Sequence, residues 1–423
     1  MSTRLGTNRH RIGRRTRCLG STLLTFGLAL GLVACQEKAS DGGSGNADSQ
    51  GAESEGAGSE GTRSQGATSQ GAGSEGARSQ GAVSQGAGSE AVSGRGGTAG
   101  SGGEQIVIGL SLDTLREERW QRDRDRFVAR AEELGAKVLV QAANNDDAVQ
   151  NAQAENLLTQ GVDVLVVAPH NAKSAATIVE AAHKSGVPVI AYDRLINDCD
   201  LDLYVSFDNL RVGELQAEYA VAHAPSGNYV LIAGAPTDNN AHLYREGQLN
   251  ILQPYIDRGE IYLVTDQFAN DWQPVEGLKI LENALTRNHN DITAVVAAND
   301  GLAGGAIQAL AEQKLTGKVI VTGQDAELAA CRRIVEGSQS MTVYKPIQAL
   351  ATRGAEVAIL LAKKQPVPDA HRTLHNGYKD VPSLLITPIP VDKTNLMETV
   401  IQDGYQKLED VYRDVPREQW PVP

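Results

Sequence analysis

Eight polar residues could together bind a ligand, because most of them follow a short apolar run and their groups complement one another. They are Arg119, Asp193, Arg194, Asp238, Asn240, Asn299, Asp325 and Lys345. Three carboxylates balance three cationic groups in this set, whereas a phosphate or carboxylate ligand calls for net positive charge. Asp, Asn and Arg are planar groups that form pairs of hydrogen bonds at fixed angles. This chemistry suits a neutral ligand with several hydroxyl groups.

Two tryptophans stand beside these polar groups, in a chain with only three tryptophans and 4% aromatic residues. Trp120 lies within the charged stretch LREERWQRDRDRF (115–127), and Trp272 follows the stretch LVTDQFAND. A flat aromatic surface suits the C–H face of a pyranose ring. Trp120 therefore either provides such a surface or packs inward with Phe127 and Ala131 on the apolar face of its helix.

Asp and Asn at the end of a strand also have a structural use, because they cap the following helix or form a turn. For Asp238 or Asn299 taken alone, capping is a sufficient interpretation. The recurrence of such residues after the apolar runs of both halves of the chain favours a shared binding site.

Short aliphatic runs alternate with amphipathic helical stretches from about Glu104 onward. One series of five runs begins with IVIGLSL (from 106) and a second series begins with NYVLIAG (from 228). Alternating strands and helices predict parallel sheets covered by helices, and two series predict two lobes. Ligands of open parallel sheets bind beyond the carboxyl ends of the strands, which is where the polar residues fall.

The stretch SLLITP (383–388) is typical of a late strand that has no partner if the lobes simply follow one another. We therefore expect each lobe to be discontinuous and the chain to cross between the lobes three times. The expected ranges are 104–208 with 342–384 for the N-terminal lobe, 209–341 with 385–413 for the C-terminal lobe, and 414–423 for a tail.

The N-terminal segment carries an export signal. Residues 1–17 are rich in arginine and contain no acid, residues 18–34 are apolar or small, and LVAC ends at Cys35. Such a segment is typical of a signal peptide, and its apolar part is shorter than the roughly 20 residues that span a bilayer. The LVAC ending resembles the lipobox of bacterial lipoproteins, which implies cleavage after residue 34 and lipid on Cys35. An ordinary signal peptide with a chance cysteine is the alternative.

Residues 35–103 are expected to begin with the lipidated cysteine and continue as a disordered tether. Ser, Gly, Ala, Gln and Glu recur there with a five-residue period, as in SEGA and SQGA. These residues bury too little apolar area to offset the entropy of ordering.

Composition excludes several functions. The formal net charge of −13 argues against nucleic acid, which needs a basic surface. Of four cysteines, Cys199 and Cys331 fall in the folded part, and we expect separate thiols and no metal site. Nucleotide-binding, zinc-protease and serine-hydrolase motifs are absent from the sequence, so we expect no cofactor and no enzyme activity.

The chain resembles the type 1 periplasmic binding proteins for sugars, most closely the xylose-binding branch that serves bacterial ABC importers. The resemblance covers 104–410 and is carried by LREERWQRDRDRFV, AYDRLINDCDLDLYVSFDN, DNNAHLYREGQ, NDGLAGGAIQAL, TGQDAELA and SMTVYKPI. It implies sugar contacts from Arg119, Trp120, Arg194, Asp238, Asn240, Trp272, Asn299, Asp325 and Lys345. Asp193 is added to these candidates because of its residue type, and not because of the resemblance. Thr114 and Phe268 depart from the family pattern and lie outside these contacts.

Three functions follow as hypotheses. The first is an exported, membrane-anchored lipoprotein that faces the periplasm or the cell exterior and delivers a monosaccharide such as D-xylose to an ABC permease, acting as a monomer. The second is the same module as a sugar sensor for a membrane kinase or receptor. The third is a glycosidase, for which Asp238 and Asp325 would be the two carboxylates flanking one bond.

Overall fold

Two groups of parallel strands, each covered by helices, organise the computed structural model. It describes residues 105–421. The predicted signal peptide (1–34), the predicted lipidation site Cys35 and the rest of the predicted tether (36–103) lie outside the described residues. No helix within 105–421 is both long and apolar enough to cross a membrane.

Strands and helices alternate over the first half of the described range, except that one pair of strands follows in direct succession. They are β1 (Val107–Leu112), α1 (Glu118–Glu133), β2 (Lys137–Ala142), α2 (Asp147–Thr159), β3 (Val164–Val167), α3 (Ala176–Lys184), β4 (Val189–Tyr192), β5 (Leu203–Phe207), α4 (Asn209–His223), β6 (Gly227–Ala233), α5 (Asn239–Asp257) and β7 (Ile261–Phe268). The remaining elements are α6 (Pro274–Arg287), β8 (Ala294–Ala297), α7 (Asp300–Glu312), β9 (Ile320–Thr322), α8 (Leu328–Glu336), β10 (Thr342–Tyr344), α9 (Ile347–Ala362), β11 (Arg372–His375), β12 (Asp380–Ile386), β13 (Ile389–Val391) and α10 (Leu408–Val411).

The first lobe contains a seven-stranded sheet in the order β11-β12-β5-β4-β3-β1-β2. All neighbouring strands are parallel except β11 and β12. Strands β3, β4 and β5 are buried along their whole length, as expected of strands covered on both faces. The late apolar run forms β12, which pairs in parallel with β5 although about 180 residues separate them in sequence.

The second lobe contains a four-stranded parallel sheet in the order β7-β6-β8-β9. The short strand β10 pairs antiparallel with β13, and an isolated bridge joins Gln324 to Val343. Residues 342–344 thus pack with the second series of strands, and not in the first lobe where we expected them. The reason is that β10, a strand of three residues, pairs with β13, and the local sequence does not reveal this pairing. The other expected lobe boundaries stay predictions.

The predicted α/β fold of parallel sheets flanked by helices is confirmed. The chain passes between the two groups of strands after β5, after β10 and after β12. Among the described residues, Cys199 and Cys331 are buried free thiols in separate hydrophobic clusters, as expected.

Glycines bring two pairs of helices in the second lobe into backbone contact. A Cβ built on Gly213 of α4 would lie 1.9 Å from the carbonyl oxygen of Tyr244 in α5. A Cβ built on Gly305 of α7 would lie 1.9 Å from the carbonyl oxygen of Pro274 in α6. By contrast, a Cβ on Gly304 would meet only the end of the Arg333 side chain at 3.1 Å.

We predict opposite effects for alanine at two adjacent positions of α7. Gly305→Ala should lower the free energy of unfolding by about 1–3 kcal/mol, because the added methyl group forces two backbones apart. Gly304→Ala should leave it unchanged or raise it by up to about 1 kcal/mol, since alanine suits a helix interior better than glycine. Urea unfolding of both variants measures the difference, and equal effects would contradict the assigned helix contact.

Candidate functional site

A cavity lies between the two lobes, with about 330 Å³ of space not filled by atoms. Its lining residues are Glu117, Arg119, Trp120, Asp193, Arg194, Asp238, Asn240, Tyr244, Trp272, Asn299, Gln324, Asp325 and Lys345. The structure therefore brings together all ten residues singled out in the sequence. Their role in binding a ligand stays a prediction that the geometry below supports.

Most of these side chains are presented by the carboxyl ends of strands. Asp193 directly follows β4, Asn299 follows β8 and Lys345 follows β10. Asp193 and Asp325 adopt φ angles of 62° and 99°, in the left-handed region that side chains other than glycine rarely occupy. Such conformations cost about 1–3 kcal/mol each and persist where the surroundings hold them.

Arg119 and Lys345 form the centre of a buried ion network. The Arg119 guanidinium lies 2.8 Å from the carboxylate of Asp193, 2.9 Å from that of Asp123 and 3.6 Å from that of Asp325. Lys345 Nζ lies 3.2 Å from Asp325 and 3.8 Å from Asp193. Burial raises the pKa of Asp193, but Arg119 and Lys345 outweigh burial, so this pKa lies below its ordinary value. Asp193 is therefore ionised at neutral pH.

Arg194 forms a second ion network in the lining of the cavity. Its guanidinium lies 2.6 Å from the carboxylate of Asp113 and 2.8 Å from that of Asp238. His170 Nδ1 lies 2.9 Å from Asp113. Burial raises the pKa of Asp113, but Arg194 and His170 together bring it below its ordinary value. Because Arg194 and Asp238 come from different lobes, this ion pair joins the lobes across the cavity.

Two lining residues also cap helices, so helix capping and a place in the cavity, the two interpretations drawn from the sequence, are compatible. The Asp238 carboxylate accepts a hydrogen bond of 2.9 Å from the backbone N–H of Asn240 at the start of α5. The Asn299 side chain accepts one of 2.9 Å from the backbone N–H of Leu302 at the start of α7. In addition, Asn240 Nδ2 donates to the backbone carbonyl of Asp193 at 3.0 Å, across the lobes.

Trp120 belongs to the hydrophobic core and to the cavity at once. Its side chain is 2% exposed and falls in the same apolar cluster as Phe127 and Ala131, while it also lines the cavity. The guanidinium carbon of Arg119 lies 4.3 Å from the centre of its ring. A ring that also packs in the core contributes to stability, so the two alternatives drawn from the sequence for Trp120 are compatible.

Trp272 is held by close packing in the second lobe. A Cβ built on Gly234 would lie 1.9 Å from the Trp272 ring, so only glycine leaves room for it. Tyr244 packs edge-on against this ring, with the ring centres 6.3 Å apart. The backbone of Trp272 has a φ of 58°, which turns the chain into α6.

Besides Asp325 Oδ1, which Lys345 Nζ faces at 3.2 Å, three buried polar atoms of cavity residues have no hydrogen-bond partner among the described residues. They are Glu117 Oε2, Gln324 Oε1 and Trp272 Nε1. A buried polar atom left without a partner costs about 1–3 kcal/mol. Two acceptors and one donor fit a ligand whose hydroxyl groups both donate and accept.

Three lining residues, Glu117, Tyr244 and Gln324, were missed in the sequence. Gln324 directly precedes Asp325, and Glu117 lies two residues before Arg119. Both could therefore have been found by searching for polar residues that follow the apolar runs. Tyr244 lies one helical turn after Asn240 on α5, and helical spacing is the signal that could have found it. Within 105–421, no group of three His, Cys, Asp or Glu side chains is arranged to hold a metal ion.

Known proteins share this chain's sequence and architecture. Residues 108–366 match the periplasmic binding protein domain. A D-xylose-binding periplasmic protein of Haemophilus influenzae is 55% identical over 305 residues, covering 72% of this chain and 92% of that protein. The multiple sugar-binding periplasmic receptor ChvE of Rhizobium radiobacter is 34% identical over 328 residues, with the same two coverages.

Among solved structures, a carbohydrate transporter solute-binding protein of Chloroflexus aurantiacus in complex with D-glucose is similar in fold. The TM-score is 0.68 at 34% identity, and the match covers 73% of this chain and 98% of that chain. Matches in domain, sequence and fold thus agree over the same two lobes. The chain belongs to the periplasmic binding protein family.

Proposed function

We propose that the chain is the substrate-binding component of a sugar ABC transporter and holds a monosaccharide, D-xylose, in the interlobe cavity. The observation that carries the proposal is the convergence of ten polar and aromatic residues, chosen from the sequence for binding a neutral hydroxyl-rich ligand, on one buried cavity. The similarity to a D-xylose-binding periplasmic protein supports the choice of sugar.

The charges of the cavity favour an uncharged ligand. Every cationic side chain of the lining is paired with carboxylates, as Arg194 is with Asp238 and Lys345 is with Asp325. An anion would have to compete with those carboxylates, whereas a sugar hydroxyl can be shared between a cation and its partner. Because the site leaves polar atoms without partners, a sugar that lacks the matching hydroxyl group binds less well.

The proposed role is binding without chemical conversion. A glycosidase needs one carboxyl group that can donate a proton and a second carboxylate across the bond. Asp238 is engaged by Arg194 and by the start of α5, and Asp325 is engaged by Lys345 and Arg119. Both carboxylates are thus paired with cations of the protein itself, and this arrangement favours binding over cleavage of a glycosidic bond.

Delivery to a permease is the first role, and a sugar-sensing role is the second candidate. The second is favoured by one observation, the similarity to a periplasmic sugar-binding receptor. Export, cleavage after residue 34 and lipid on Cys35 complete the proposal and rest on the N-terminal sequence, in which residues 35–103 would serve as a tether. We further propose that the protein acts as a monomer.

The choice of sugar is tested by thermal shift. D-Xylose should raise the melting temperature of the protein more than D-ribose, L-arabinose or D-glucose, because a ligand that binds only the folded state stabilises it according to its affinity. At 100 times its Kd, the stabilisation amounts to about 2.7 kcal/mol. A panel in which none of these sugars raises the melting temperature would refute sugar binding.

Asp325→Asn should weaken the binding of D-xylose without unfolding the protein. The substitution keeps the shape of the side chain but removes the charge that faces Lys345 and Arg119, so two buried cations lose a partner. We expect a loss of at least about 2 kcal/mol, or roughly 30-fold in Kd, by calorimetry. The matched control is Asp125→Asn on the exposed face of α1, which should bind like the parent.

D-Xylose should also compact the protein. Each lobe alone provides only part of the lining, so the ligand binds the closed arrangement more tightly than the open one and shifts the equilibrium toward it. Small-angle X-ray scattering with and without D-xylose measures the change. An unchanged radius of gyration at saturating sugar would contradict closure around the ligand.

A further inference from the structure

Residues 403–406, which we name the C-terminal brace, pack against the strand that leads to Lys345. The hydroxyl of Tyr344 donates a hydrogen bond to the carboxylate of Asp403. The rings of Tyr344 and Tyr405 lie with their centres 5.1 Å apart. Tyr344 directly precedes Lys345, so the brace fixes the backbone from which this cavity side chain extends.

The same brace also reaches the residue next to Asp325. Gln406 Nε2 donates a hydrogen bond of 3.1 Å to the backbone carbonyl of Ala326. The backbone N–H of Ala326 donates to Thr342 Oγ1 at 3.2 Å. Ala326 has a φ of 51° and Asp325 one of 99°, so two successive residues are in the left-handed region. Such a turn depends on the contacts that hold it.

An arginine of the first lobe docks on the brace. Arg122 of α1 donates hydrogen bonds to the backbone carbonyl of Tyr405 and, at 3.1 Å, to Gln406 Oε1. Its guanidinium carbon lies 4.5 Å from the centre of the Tyr405 ring. Beside it, Glu118 of α1 accepts a hydrogen bond of 3.3 Å from the backbone N–H of Leu328 in the second lobe.

These contacts lie outside the cavity, yet they connect elements of both lobes that carry cavity residues. Arg122, Tyr405 and Gln406 do not line the cavity. Tyr405 and Gln406 are each 3% exposed, so the two brace residues that contact Arg122 are buried, whereas Asp403 and Gly404 are exposed. Arg122 lies three residues after Arg119 on the same helix, so movement of α1 carries both arginines together.

We propose that Arg122 and Gln406 are positioning residues for sugar binding, linking closure of the lobes to the placement of Asp325 and Lys345. When the lobes close, Arg122 binds the brace. Gln406 then holds Ala326, and Tyr405 holds Tyr344, so the Asp325–Lys345 pair is fixed for the ligand. This inference rests on the proposed function and adds residues that do not contact the sugar.

The test compares Arg122→Ala and Gln406→Ala with a matched control. Arg126→Ala, one turn further along α1, removes an arginine whose partner Gln348 lies in α9, on the first-lobe side. We expect each of the first two variants to bind D-xylose about 10-fold more weakly, with faster dissociation in stopped-flow tryptophan fluorescence, and the control to bind like the parent. Equal affinities for Arg122→Ala and Arg126→Ala would overturn the proposal.

Coupling to Asp325 distinguishes positioning from a general loss of packing. In an Asp325→Asn background, Arg122→Ala should weaken D-xylose binding by less than about 2-fold, because the group that it positions is already altered. If Arg122→Ala weakens D-xylose binding by the same factor in the parent and in the Asp325→Asn background, the link between Arg122 and Asp325 is refuted. Arg122→Lys keeps the charge and should restore part of the affinity.

A measurement without sugar keeps this inference separate from the proposed function. The ligand-free protein also populates the closed arrangement in part, and Arg122 protects the C-terminal brace in that fraction. Hydrogen exchange of the backbone amides in the brace should therefore be faster in ligand-free Arg122→Ala than in ligand-free Arg126→Ala. If the parent binds neither D-xylose nor D-glucose, the proposed function fails while faster exchange still supports the brace. If the parent binds sugar and exchange is unchanged, the brace proposal fails alone.

Discussion

The buried ion network around Arg119 is the interaction on which the rest of the site depends. Moving a charge from water into a closed cleft costs several kcal/mol unless an opposite charge and further hydrogen bonds replace the water. Arg119 meets carboxylates of the first lobe at Asp123 and Asp193, and one of the second lobe at Asp325. The network is therefore complete only when the lobes are together, as they are in this structure.

This constraint also accounts for the unusual backbone at the cavity. Asp193 and Asp325 aim their carboxylates at the same guanidinium from opposite lobes, and both adopt positive φ angles to do so. The strain is offset by hydrogen bonds to the surrounding backbone, such as the one from Ser206 Oγ to the carbonyl of Asp193. Binding geometry is thus built into the turns that end the strands.

The sequence allowed the fold and most of the cavity to be predicted, because both are encoded locally. Strands buried on both faces appear as apolar runs, and residues such as Asp193 and Lys345 mark where those runs end. The pairing of β10 with β13 was missed since it joins segments about 45 residues apart by three residues each. Tyr244 was missed because it reaches the cavity from within a helix, where no run ends.

Residues that both cap a helix and line the cavity restrict how the sugar preference of this chain can evolve. Replacing Asp238 or Asn299 changes the lining of the cavity and weakens the start of α5 or α7 at the same time. Glu117 and Gln324 line the same cavity, and neither side chain makes a capping hydrogen bond, although Glu117 is the N-cap residue of α1. A change of the cavity lining at Glu117 or Gln324 would therefore leave the starts of α5 and α7 intact, whereas a change at Asp238 or Asn299 would not.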